Sequence, residues 1–128
     1  GARALPILSF RVRGPSGAAV HHQLFVRMLS DVTGIQARGG CACAGPYVHR
    51  LLDIDPAQSE AIRAAVRAGQ ELEKPGFVRV NFSPLMDEDE FAVLVDAVDE
   101  VARSSDHHAA LFTADPANAV FEPVAAAQ

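Results

Sequence analysis

The stretch KPGFVRVNFSPLMDEDEFAVLVDAVDEVA, Lys74 to Ala102, sets two periodicities one after the other. From Gly76 to Phe82 apolar and polar residues alternate. Val78, Val80 and Phe82 fall on one face and Arg79 and Asn81 on the other, as a half-buried strand requires. The second half repeats at helical spacing through Phe91, Leu94, Val95, Val98 and Val101 or Ala102. It opens on four acids, Asp87 to Glu90, which suit the positive end of a helix. Asp87 and Glu90 have the spacing of a capping box. A strand followed by a one-sided helix predicts that helices cover the Val78 and Val80 face of a sheet. Arg79 then lies on the uncovered face, where it needs solvent, an acid or a neighbouring domain.

Working outward, LPILSFRVR (Leu5–Arg13) alternates as well, with Leu8, Phe10 and Val12 against Ser9, Arg11 and Arg13. GPSG (Gly14–Gly17) reads as a turn. Val20, Leu24, Phe25, Met28, Leu29 and Val32 then mark an amphipathic helix that Gly34 ends in a left-handed cap. GIQAR (Gly34–Arg38) is a short third strand. YVHRLLDI is a short helix. DPAQSEAIRAAVRAG has Asp55 as N-cap, Pro56 at the first helical position and Gly69 beyond the last turn. The fold class expected is α+β: a small, mainly antiparallel sheet with helices packed on one face. Residues 1–103 form this domain, and 104–128 are a tail, irregular or partly helical, because its Ala- and Pro-rich sequence has weak periodicity.

The chain has 128 residues, 49% apolar and 21% charged, the size and profile of one soluble domain. A net charge of −5 without a basic block argues against nucleic acid and against an acidic membrane surface. No apolar run approaches the roughly 20 residues that span a bilayer. The first residues lack the pattern of a signal peptide, and two cysteines make no disulfide framework, so a cytoplasmic setting is expected. Ten of the 11 basic residues are Arg, and Lys74 is the only lysine.

The least regular segment, GIQARGGCACAGPY (Gly34–Tyr47), holds both cysteines. Cys41 and Cys43 with His21, His22, His49, His107 and His108 could supply zinc ligands. However, only one pair is tightly spaced, and both doubled histidines read as exposed helix or tail residues. Cys-x-Cys is not the usual redox spacing and would close a strained ring. A thiolate nucleophile remains, its charged form favoured by Arg38. Against it stands the reading of small residues filling space. Arg79 divides in the same way, between a surface ion pair and a carboxylate clamp, the geometry a planar guanidinium serves best.

The blocks GIQARGGCACAGPYVHRLLDID and KPGFVRVNFSPLMDEDEFAVLVDAVDEVA together resemble the C-terminal domain of class V pyridoxal-phosphate enzymes. That family comprises cysteine desulfurases, selenocysteine lyases and related aminotransferases. The resemblance covers about Leu5 to Ala102. It implies the small domain of the type I pyridoxal-phosphate fold, closing over a large cofactor domain of the same polypeptide, usually in a homodimer. It places Arg38 and Cys43 on the arginine and nucleophile of the mobile Arg-x-Gly-His-His-Cys-Ala loop, with Cys41 and Ala42 replacing the two histidines. That form is closer to members described as class V aminotransferases. It puts Arg79 on the arginine that binds the α-carboxylate of an amino-acid substrate. In the desulfurase branch a sulfur acceptor would be a further partner. Lys74, in the turn EKPG, matches no cofactor position. The resemblance therefore implies pyridoxal phosphate in the full-length enzyme and none bound to this chain, a fragment inactive for want of a Schiff-base lysine. The alternative is a stand-alone, non-catalytic interaction module derived from that domain.

Overall fold

The computed structural model describes residues 5–40 and 45–124. In chain order these form β1 (Ile7–Phe10), β2 (Val12–Arg13), β3 (Ala19–Val20), α1 (His22–Thr33), β4 (Arg38–Gly40), α2 (Gly45–Leu51), α3 (Pro56–Arg67), a 3₁₀ turn at Glu71–Glu73, β5 (Phe77–Asn81), α4 (Glu88–Arg103), α5 (Ser105–Ala109), β6 (Phe112–Asp115) and β7 (Val120–Pro123). The main sheet has three strands in the order β1-β5-β4, with β5 antiparallel to both neighbours. The α+β class expected from the two periodicities is what the chain adopts.

Alternation in β5 sets the core. Val78 and Val80 are buried and pack with Phe25, Met28 and Leu29 of α1, while Leu94, Val98 and Val101 of α4 join the same cluster. Phe10, opposite Val78, meets the Phe25 ring edge to face at 6.1 Å. The helix signals hold at residue level. Gly34 caps α1 at φ +74°, its N–H donating to the Ser30 carbonyl, and Asp55–Gln58 and Asp87–Glu90 both form reciprocal capping boxes. The α4 stripe is narrower than its sequence suggests, because Phe91 and Val95 are exposed. Phe91 instead meets the ring of Phe82 at 5.1 Å, just beyond β5.

Three features differ from expectation. Leu5–Arg13 is not one strand: β1 stops at Phe10 and β2 turns away to pair with β3 across the Gly14–Gly17 turn. Asp106 holds that turn by accepting from the Ser16 N–H at 2.9 Å. The third strand is Arg38–Gly40 rather than Gly34–Arg38. Glycine is a poor strand former, but a Cβ on Gly39 would lie 3.1 Å from the His22 carbonyl and 3.2 Å from Val26 Cγ2. Glycine lets α1 settle that closely on the strand without displacing these atoms, so packing outweighs propensity. Finally, residues 104–124 contain α5 and the β6-β7 hairpin, where weak periodicity suggested an irregular or partly helical tail. Its short turn is built from Asp115, whose carboxylate accepts from Ala117 N–H and Asn118 Nδ2, with Ala119 left-handed at φ +52°. Phe112 and Phe121 pack this hairpin against the core.

Candidate functional site

Register brings the two arginines singled out in the sequence to one place. On adjacent strands Arg79 stands opposite Ser9 of β1 on one side and Arg38 of β4 on the other. Directly opposed residues share a face, so Ser9, Arg79 and Arg38 form a row on the face away from Val78, Val80 and α1. Like charges directly opposed on a sheet are destabilising. Among the described residues the ion pairs are Arg27–Asp31, Arg63–Glu60, Lys74–Glu71 and Arg103–Asp99, none of which involves the row. Arg79 carries a further cost. Its Nε is buried and has no hydrogen-bond partner among the described residues. A buried donor left unsatisfied costs about 1–3 kcal/mol, more when charged.

Arg79 borders a cleft of about 510 Å³. Among the described residues Ser9 and Arg11 add polar groups, and Phe10, Leu51, Leu52, Phe77 and the Tyr47 ring form its apolar walls. Tyr47 and Leu51, on α2, are 63% and 55% exposed, so this wall is not spent on the core. The second face of the sheet is therefore flanked by a helix, though the sequence suggested helices on one face only. The cleft can take an anion onto guanidinium and an apolar group onto the wall. Arg38 is exposed at the far end of the row. Cys43 and Cys41 lie outside the described residues, between Gly40 at the end of β4 and Gly45 at the start of α2.

The histidines require a correction. His21 is half-buried and His22 is buried, rather than exposed as their doubling suggested. They stack at 4.2 Å beside a second depression of about 250 Å³ whose lining includes Lys74. His21 Nδ1 accepts from the Gln23 N–H and caps α1. The proton therefore sits on Nε2, which donates to the Leu72 carbonyl at 3.2 Å. Burial lowers the pKa of both rings, that of His22 to about 4, where neighbouring His21 and Arg11 add to the effect. Histidine is a rare N-cap, which explains why the pattern of helix starts did not find it. Among the described residues no group of three or more His, Cys, Asp or Glu is arranged to hold a metal ion. Nor is any helix among them long and apolar enough to cross a membrane.

Sequence reasoning named Arg79 and Arg38. It missed Arg11 as a cleft residue and the apolar wall on α2. The alternation of Leu5–Arg13 did put Ser9 and Arg11 on one side, and that was the available signal.

No protein-family model matches the chain, and comparison with curated proteins and with solved structures finds no match either.

Proposed function

We propose that this chain is the substrate-binding C-terminal domain of a pyridoxal-phosphate-dependent class V aminotransferase or cysteine desulfurase-like enzyme, with Arg79 as the anchor for a substrate carboxylate. One observation carries the reading: Arg79, a residue that borders an open cleft and stands opposite a second arginine, has a buried Nε with no hydrogen-bond partner among the described residues. A carboxylate offsets both costs at once. It accepts charge-assisted hydrogen bonds from the guanidinium, reaching Nε–H once the side chain turns towards the cleft, and it relieves the repulsion between Arg79 and Arg38. Arg38 assists from β4. Cys43 keeps the nucleophile position of the sulfur-releasing branch.

The residues of this chain do not fit a Schiff-base cofactor. Lys74 is the only lysine, pairs with Glu71 and lines the histidine depression rather than the arginine cleft. In this reading pyridoxal phosphate belongs to a large domain of the same polypeptide. This chain contributes grip and orientation of the carboxylate end.

The test is direct. Acetate titrated into the 128-residue chain should shift the Arg79 Nε–H resonance and saturate. Arg79→Ala should weaken binding roughly ten- to a hundredfold, the loss of a charged hydrogen bond worth about 1.5–3 kcal/mol. Arg79→Lys should not restore it, because an ammonium cannot make the bidentate contact. An Nε–H resonance that ignores carboxylates would sink the anchor and favour the non-catalytic interaction module.

A further inference from the structure

The cleft beside Arg79 is far larger than a carboxylate needs. Its 510 Å³ lies within the range of small-molecule sites, and among the described residues five of the eight that line it are Phe, Tyr or Leu. The charged groups lie on one side, with Ser9 and Arg79 on neighbouring strands and Arg11 just beyond β1. The opposite wall comes from α2, where Tyr47 and Leu51 expose most of their apolar surface. Such a site has a cationic floor and a hydrophobic side. It rewards a ligand with the same division, an anionic head and a bulky apolar body.

Resting on the reading of Arg79 as carboxylate anchor, we infer that the ligand is a carboxylate with a large aromatic or branched aliphatic body, and that Tyr47, Leu51 and Phe77 select for that body. A small thiol-bearing side chain would leave most of the cleft wet and the α2 wall uncovered. A compound with two distant anionic groups would place charge against leucine and tyrosine. The charge of the site also disfavours cationic bodies, since Arg11 and Arg79 line it without a carboxylate in ion-pair contact among the described residues.

The experiment is a probe series on the 128-residue chain, followed by backbone amide shifts: acetate, phenylacetate, 4-methylpentanoate and benzyl alcohol. Phenylacetate and 4-methylpentanoate should bind roughly ten- to fiftyfold more tightly than acetate, as expected if part of the added apolar surface leaves water. The shifted amides should include those of Ser9, Leu51 and Arg79. Benzyl alcohol, which has the ring without the charge, should bind at least tenfold more weakly than phenylacetate. Leu51→Ala and Tyr47→Ala, both at exposed positions, should bring the phenylacetate-to-acetate ratio to within about threefold. Equal affinity for all three carboxylates would overturn the selectivity while leaving the Arg79 anchor standing. No carboxylate binding at all would overturn both. Shifts confined to another face of the molecule, or benzyl alcohol binding as well as phenylacetate, would also count against the cleft.

Discussion

Single atoms decide two positions in this fold. A Cβ on Gly76 would fall 2.6 Å from the Gly40 carbonyl oxygen and 2.7 Å from His22 Cε1. Neither neighbour can yield easily, since one is backbone and the other belongs to a buried ring. Gly76→Ala should therefore destabilise the protein by roughly 2–3 kcal/mol, the upper range for overpacking. Gly17 is the control. Its φ of +82° strains alanine, but nothing lies within 4 Å of the added atom. Gly17→Ala should cost only about 1–2 kcal/mol of left-handed strain. Urea midpoints at constant m would separate the two, and equal losses would remove the case for close approach at Gly76. The same scale applies to Arg79, which differs from an ordinary strand arginine in one buried nitrogen without a partner among the described residues.

At the scale of elements, identical capping devices should have different consequences. Asp87 opens α4, which buries Val101 and packs Leu94 and Val98 on the core. Asp55 opens α3, a helix of 12 residues with none buried. Asp87→Ala should lower global stability by about 1 kcal/mol, the usual worth of an N-cap. Asp55→Ala should leave the unfolding midpoint almost unchanged and speed amide exchange within α3 about five- to thirtyfold, because a short unburied helix opens locally first. A global loss from Asp55→Ala would mean that α3 unfolds only with the core. These elements were legible because their signals are local: Gly34, Asp55–Pro56 and Asp87–Glu90 each act within one turn. What was not legible depends on partners distant in the chain. Gly39 is a strand residue because it pairs with Val78 of β5, and α1 lies close over it. Phe112–Asp115 and Val120–Pro123 are strands because they pair with each other and because Phe121 finds the core. The site divides in the same way. Alternation placed Arg79 on the face away from Val78 and Val80, but its register with Arg38 and the α2 wall of the cleft depend on tertiary pairing.

At the scale of the whole molecule, the His21–His22 stack joins segments that are far apart in sequence. His21 caps α1, donates to Leu72 in the 3₁₀ turn and lies 5.2 Å from the Phe121 ring of β7, while His22 sits under Gly76 at the entry to β5. Burial at this junction favours neutral imidazoles. Protonating His21 would remove the acceptor for Gln23 and place a positive charge at the positive end of α1. For His22, burial is the main cost of the charged form, and His21 and Arg11 raise it further. Glu73 and the Leu72 carbonyl partly favour the charged form of His21 without reversing its downward shift. The sign of the pH effect follows. With a folded pKa of about 4 for His22 against 6.5 unfolded, the unfolded chain binds more protons between those values. The stabilisation is thus complete above pH 6.5 and is lost as pH falls towards 4. His22 alone should contribute a loss of about 2 kcal/mol by pH 5 and roughly 3 kcal/mol by pH 4. Asp115, held below its usual pKa by Asn118 and Ala117, titrates below this window and does not shape it. Urea midpoints from pH 7 to 5 should therefore fall steadily in the wild type and much less in His22→Leu. The His22 ring resonances should titrate near pH 4 in the folded protein. A flat profile across that range, or a His22 ring that titrates near 6.5, would show that the junction tolerates charge.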